Sequence, residues 1–353
     1  MKKFKIFLFF LILLVSYFTF KSTPIDPVAF TPPEPREMNG PLSKNEILQK
    51  AELLGLRKIH GPEGLAIDRN GIIYGGTAEG NITRIYPDGK VEPFINTGGR
   101  PLGIEFDANG NLIVCDAWKG LLSVSKEGKV TTLSDSADNV PFRFTDDLDI
   151  ASDGMIYFTD ASSKFHQPEY LYDLLEGKPH GRFLKYNPYT KETTVLLKNL
   201  YFANGVALSK NEDFVLINET YRYRITRFYL KGEKKGTSDI FLENTPGFPD
   251  NITSNRKGSF YLALFTVRNP MMDRIHPHPF FTKLMSKLPK FFWPKPKPYG
   301  LVIRLDESGN ILESYQDPSG KHLKEITSAL EYNGFLYLGS LHNDRIGKLE
   351  LSK

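Results

Sequence analysis

Four oxygen-bearing residues, Glu63, Asp146, Asn204 and Asp250, stand at one position of an internal repeat. Each opens an apolar stretch and is followed eight residues later by a turn residue, Gly71, Gly154, Glu212 and Gly258. Leu102 and Gly110 keep the same offset, so five of six repeats share one register. After each turn comes a regular apolar strand, such as Met155-Ile156-Tyr157-Phe158 or Phe260-Tyr261-Leu262-Ala263, and most repeats then add a third strand, such as Phe183-Leu184-Lys185-Tyr186. The turn positions 71, 110, 154, 212, 258 and 334 are spaced 39, 44, 58, 46 and 76 residues apart. A base period of about 40 to 45 residues built of short strands predicts four-stranded blades around an axis, an all-β, six-bladed β-propeller. Stacked sandwiches would explain the frequency of turns but not the constant register.

In a propeller the first strand of each blade lines the central channel, so residues opening that strand face one another across it. Carboxylate and amide oxygens converging in this way suit a hard cation, calcium first among them. Glu63, Asp146, Asn204 and Asp250 are therefore the expected metal ligands. Asp and Asn also cap strands and turns on their own account; the shared register is what sets these four apart.

A chain of 353 residues with 40% hydrophobic and 24% charged content is globular and long enough for a large core. A repeat architecture can spend that length on one domain. The net charge of +4 is mild and partly due to Lys2, Lys3 and Lys5, which gives no reason to expect a nucleic-acid partner. Cys115, the single cysteine, lies in the apolar run Leu112-Ile113-Val114-Cys115, where it reads as a small buried hydrophobe.

Residues 1–22 read as a signal anchor: lysines precede an uncharged run from Ile6 to Phe20, and no small-x-small cleavage pattern follows. Lysines ahead of the run place the N-terminus in the cytoplasm and the rest beyond the membrane; secretion after cleavage is the alternative. Residues 23–50 form a stalk, with six prolines between 24 and 41, followed by a helix expected from Ser43 to Leu54. Residues 51–353 are assigned to the propeller, with Leu56 to Ile59 expected to add the strand that closes the ring. Two insertions interrupt the repeat. Residues 163–181 contain the short helical pattern Glu169 to Leu175; residues 267–300 are rich in Pro, Phe and Lys, fitting a lid, a basic amphipathic membrane-contacting patch, or a loop helix on the rim.

The segments Gly61-Pro62-Glu63-Gly64, Arg100-Pro101-Leu102-Gly103, Asp116-Ala117-Trp118-Lys119-Gly120, Tyr157-Phe158-Thr159-Asp160-Ala161-Ser162, Asn204-Gly205-Val206 and Pro246-Gly247-Phe248-Pro249-Asp250-Asn251 together resemble the strictosidine synthase-like family. The likeness is greatest to its adipocyte plasma membrane-associated branch and spans roughly residues 50 to 350. It implies a calcium propeller in the broad class of paraoxonases, gluconolactonases and diisopropyl-fluorophosphatase. In that class a Glu, two Asn and an Asp hold the ion. Glu63, Asn204 and Asp250 match, and Asp146 replaces the second Asn. Strictosidine synthases carry a catalytic Glu where this chain has Thr327, so alkaloid condensation is not expected. Leu102 stands where paraoxonases place a basic histidine. His276 and His278, in the insertion, read as surface residues.

The leading expectation is a calcium-dependent hydrolase of small-molecule esters or lactones, acting as a monomer tethered to a membrane by its N-terminal anchor. A carboxylate in or beside the metal shell, Asp250 first and Asp146 or Asp147 second, would take a proton from water or attack directly. Arg100, Asn251 and Tyr201 are candidate substrate-binding residues on the pocket wall. The competing expectation is a non-catalytic binding propeller with structural calcium, since the fold hosts both.

Overall fold

The apolar stretches become strands because each alternates sides between two neighbouring sheets, burying both faces. The computed structural model describes residues 3–6, 9, 16–18 and 20–351, and its strands form six four-stranded antiparallel sheets plus a two-stranded hairpin. Blade 1 runs Leu65–Ile67, Ile73–Gly76, Asn81–Ile85 and Val91–Asn96; blade 2 Pro101–Phe106, Leu112–Asp116, Gly120–Val124 and Val130–Ser134. Blade 3 runs Thr145–Ile150, Ile156–Asp160, Gly181–Asn187 and Glu192–Leu200; blade 4 Ala203–Leu208, Phe214–Glu219, Arg224–Tyr229 and Ser238–Leu242. Blade 5 comprises Gly247–Ser254, Ser259–Val267, Gly300–Asp306 and Ile311–Asp317. Together with blade 6 this is the expected six-bladed propeller.

Blade 6 takes three strands from the end of the chain, Ile326–Tyr332, Phe335–Ser340 and Ile346–Glu350, and its fourth from the beginning, Glu52–Leu54. Glu52 pairs with Lys348, Leu53 with Gly347 and Leu54 with Ile346. The closing strand is thus four residues earlier than Leu56 to Ile59. The helix expected from Ser43 to Leu54 is replaced by short 3₁₀ turns at Gly40–Leu42 and Ile47–Lys50. The physical reason is the edge of Ile346–Glu350. Unpaired, it would leave a row of backbone donors and acceptors without partners, and satisfying them outweighs local helix propensity.

Apolar clusters fill the spaces between neighbouring blades. Leu216, Ile225, Phe260, Leu262 and Ile303 bridge blades 4 and 5, and Tyr261, Val302, Ala329 and Leu336 bridge blades 5 and 6, all fully or nearly fully buried. Each such side chain contributes roughly 1.5–3 kcal/mol by leaving water. Cys115 is buried among Ile113, Leu121 and Phe158.

Both insertions connect the second and third strands of a blade, so they emerge at the end of the ring where the innermost strands begin. The first carries the helix Tyr170–Glu176; the second carries the helices Pro270–Ile275 and Pro279–Lys287. These roof one end of the channel with a cluster that includes Leu174, Leu175, Met272, Met285 and Trp293. Most of the Ile6 to Phe20 run lies outside the described residues; among those described, no helix is long and apolar enough to cross a membrane.

Candidate active site at the roofed end of the channel

Nearly every innermost strand carries an irregularity at the same place. In blades 2, 3, 4, 5 and 6 the pairing with the second strand shifts between Pro101 and Ile104, Thr145 and Leu148, Ala203 and Val206, Pro249 and Ile252, and Ile326 and Ser328. A bulge gives the inner strand one extra residue and re-aims the side chains there. The first bulged residue turns toward the roofed end, so Leu102, Asp146, Asn204, Asp250 and Thr327 all face one cavity of about 260 Å³, and Glu63, just ahead of the first strand of blade 1, faces it too. The second turns the other way: Gly64, Asp147, Asn251 and Ser328 line a separate cavity at the opposite end. Where the second residue is glycine, the next inner strand leaves no room for more. A Cβ on Gly205 would lie 2.5 Å from the Asp250 carbonyl oxygen, and one on Gly64 would run into that of Leu102.

The four oxygen-bearing residues of the repeat therefore share one floor, buried to between 2% and 8% exposure. Burial pushes the Glu63 carboxyl up to about 7, and the nearby Arg100 guanidinium only partly offsets it. Burial raises Asp146 and Asp250 well above the carboxylate range, Glu63 adding to both by like-charge repulsion. A hydrogen bond from Asn204 partly relieves Asp250. Three acids pressed together out of water without a full counter-charge account for this. Among the described residues no group of three or more His, Cys, Asp or Glu side chains is arranged so that it could hold a metal ion. Two buried oxygens on the floor, Glu63 Oε2 and Asn204 Oδ1, have no hydrogen-bond partner. An all-oxygen set with net negative charge and unsatisfied lone pairs fits a hard cation.

The walls are aromatic, and they follow a second pattern in the same repeat. Phe144, Phe202 and Phe248 each precede a floor residue by two positions, which on a strand puts them on the same face, and all three line the cavity. Thr220, Tyr221, Phe265 and Trp293 complete it with the lid residues. The Tyr221 hydroxyl donates to the Tyr170 carbonyl at 3.0 Å, tying a wall to the lid. The bulges are themselves held by carboxylates that end second strands: Asp116 accepts from the Arg100 N–H at 3.0 Å, Asp160 from the Phe144 N–H at 2.9 Å, and Glu219 from the Tyr201 N–H at 2.9 Å.

Several expected site residues lie elsewhere. Asp147 faces the opposite cavity, where its Oδ2 accepts the Val206 N–H at 3.0 Å. Asn251 faces the same way and donates to Glu63 Oε1 at 3.3 Å from behind. Arg100 is buried behind the floor, donating to the Gly61 and Gly76 carbonyls at 3.2 and 3.5 Å. Tyr201 lies outside the cavity beneath the Arg222 guanidinium. The bulge explains the first two: consecutive residues of a strand point to opposite ends, so a neighbour in sequence is not a neighbour in the pocket. His276 is not on the surface but 4% exposed, with its Nε2 unpartnered, and burial holds its pKa down at about 4. His278 is exposed as expected. Thr327 lines the cavity, its hydroxyl donating to the Glu63 carbonyl at 3.0 Å.

Comparison with known proteins places the chain. Strictosidine synthase matches residues 146–233, and the strictosidine synthase-like N-terminal model matches residues 40–85. Adipocyte plasma membrane-associated protein from Rattus norvegicus is 38% identical over 93% of this chain and 93% of its own length. This chain belongs to the strictosidine synthase-like family. Protein STRICTOSIDINE SYNTHASE-LIKE 6 of Arabidopsis thaliana is 37% identical over 89% of this chain and 85% of its own. Among solved structures, a gluconolactonase from Xanthomonas campestris superposes with a TM-score of 0.64 at 16% identity, covering 86% of this chain and 90% of that one. The calcium-binding protein regucalcin from Agrobacterium tumefaciens superposes with a TM-score of 0.60 at 13% identity, covering 87% and 94%. At these identities the structures share the propeller.

Proposed function

We propose that this protein is a calcium-dependent hydrolase of carboxylic esters or lactones. The observation that carries the reading is the floor: equivalent positions of the repeat aim Glu63, Asp146, Asn204 and Asp250 into one apolar cavity and leave two buried oxygens there unsatisfied. Those four residues would hold the cation. Once bound, calcium would polarise the substrate carbonyl and stabilise the oxyanion formed when water adds. The names gluconolactonase and calcium-binding protein, borne by two structural neighbours, agree with this chemistry.

The protein's own groups do the rest. Phe144, Phe202 and Phe248 exclude water around the reacting bond and receive the apolar part of the substrate. Asp250 is the carboxylate that takes the proton from water or attacks, because Asp147 faces away. Burial and the like charge of Glu63 favour the protonated form of Asp250, which cannot act as a base; the charge of a bound cation would offset both and leave Asp250 in the ionised form this role needs. Thr327 offers no carboxylate where an alkaloid-forming relative needs one, which weighs against amine condensation. The apolar N-terminal run would serve as a membrane anchor with the propeller on the extracytoplasmic side, in keeping with relatives named plasma membrane-associated.

The test is a panel of aryl esters and lactones assayed with calcium and with chelator. Calcium-dependent turnover that Asp250→Asn removes, with the fold intact, supports the reading. No turnover across the panel with calcium present makes this a binding propeller instead.

A further inference from the structure

We infer that the lid is a second membrane contact: the helix Pro279–Lys287 and the turn after it insert into an anionic bilayer surface, so that the cavity is entered from the lipid. The first observation is what the lid exposes. Phe280, Phe281, Phe291 and Phe292 are 71%, 50%, 71% and 60% exposed, while the opposite face of the helix buries Thr282, Met285 and Ser286. Four large apolar side chains within thirteen residues are costly to hold in water, and such a patch marks an interaction surface. Trp118, on a loop at the same end of the ring, is 53% exposed.

Charge selects the occupant. From Pro270 to Gly300 the segment carries Lys283, Lys287, Lys290, Lys295 and Lys297 with Arg274, against one acid, Asp273, which is consumed by Arg268 at 3.0 Å. Glu169, on the neighbouring turn, and Asp26, on the segment that crosses the lid, are exposed acids here, and Asp26 is paired with Lys178 at 2.6 Å. Exposed phenylalanines interleaved with lysines match the boundary between acyl chains and anionic headgroups, where aromatic rings enter and lysines reach back to phosphate.

The third observation is where the chain comes from. The end of the apolar N-terminal run and the segment that follows it cross this same lid. The Tyr17 hydroxyl and Lys21 Nζ both donate to the Lys287 carbonyl, at 2.8 and 2.6 Å. Thr23 Oγ1 and Ser286 Oγ are 2.6 Å apart. The Asp26 N–H donates to the Glu176 carboxylate and the Val28 N–H to the Glu176 carbonyl, each at 3.0 Å, and the Phe30 N–H donates to the His276 carbonyl at 3.0 Å. Phe20, between the contacting residues Tyr17 and Lys21, is 84% exposed. An anchor leaving the molecule here would hold the lid against the bilayer rather than let the propeller swing on a free stalk. The lid also roofs the cavity through Trp293 and Met285, so an apolar substrate would pass from the bilayer to the aromatic walls without crossing water.

The test uses the full chain with Phe281→Cys carrying an environment-sensitive fluorophore, Cys115 being buried and Phe281 exposed. A second chain labelled at Tyr189→Cys, 76% exposed on a turn between third and fourth strands at the far end of the ring, is the reference. Both are reconstituted into vesicles with and without anionic lipid, and quenching by bromine-labelled acyl chains is read. The expected result is a blue-shifted, strongly quenched label at position 281, an unquenched label at position 189, and a marked loss at position 281 on Lys283→Glu with Lys295→Glu. A water-like label at position 281 in a chain that floats with vesicles would overturn the inference, as would failure to float. Cross-linking of two unlabelled Phe281→Cys copies to each other, in place of lipid quenching, would assign the face to a second copy and equally overturn it. None of these readouts depends on turnover, so they stand or fall apart from the hydrolase reading.

Discussion

Replacing Glu63 by Gln should have opposite effects on stability depending on whether calcium is present. In the metal-free protein Glu63 ionises only near pH 7, against an ordinary value of 4.5. The folded state therefore binds more protons than the unfolded one between those values, and its stability falls as pH rises through that window. A displacement of about 2.5 units corresponds to roughly 3 kcal/mol of strain once the group is charged. Gln removes the charge but keeps a side-chain oxygen to accept from Asn251, so in chelator at pH 8 the variant should be more stable by about 1–3 kcal/mol, a Tm rise of several degrees. At pH 5 the difference should shrink, because Glu63 is already protonated. With calcium at a hundred times its dissociation constant the native chain gains about 2.7 kcal/mol, while the variant, having lost a charged ligand, gains much less. The assay is thermal unfolding of the full chain in detergent, in chelator and across a calcium titration, at both pH values. If the variant is less stable than the native chain in chelator at pH 8, or if calcium leaves the native Tm unmoved, the reasoning about the floor is wrong.

Asp250→Asn should lower kcat by two orders of magnitude or more while a calcium-dependent Tm rise survives, since the amide still offers an oxygen; near-normal turnover would make Asp250 a ligand only. Gly205→Ala should cost about 1–3 kcal/mol in urea unfolding, because the new methyl meets the backbone of Asp250, Asn251 and Ile252, whereas Gly232→Ala, with open space around it, should cost about 1 kcal/mol or less for its positive φ. His276 is held neutral, its pKa near 4 against 6.5 unfolded. The unfolded state thus takes up the extra proton between those values, and up to about 3 kcal/mol should be lost on acidification through that window. His276→Phe should flatten this part of the pH–stability curve, and an unchanged curve would show that the imidazole is hydrated.

The sequence alone carried the architecture and the floor of the site. A repeat with one register has one structural solution for each copy, so Glu63, Asp146, Asn204 and Asp250 had to be equivalent, and in a closed ring equivalent positions converge. The aromatic wall was written in the same repeat, in Phe144, Phe202 and Phe248, and is legible to anyone who looks two residues upstream. Tertiary structure decided what repetition does not encode. Which of two adjacent bulge residues enters the cavity depends on backbone pairing with the second strand, and that sends Asp147 and Asn251 to the other end. The closing strand fell at Glu52–Leu54 because the unpaired edge of a strand some three hundred residues later needed those backbone groups. His276 is buried because residues from the stalk fold over the lid and cover it. In each case the deciding partner is a hydrogen bond or a packed surface from a distant part of the chain, and no local pattern of residues records it.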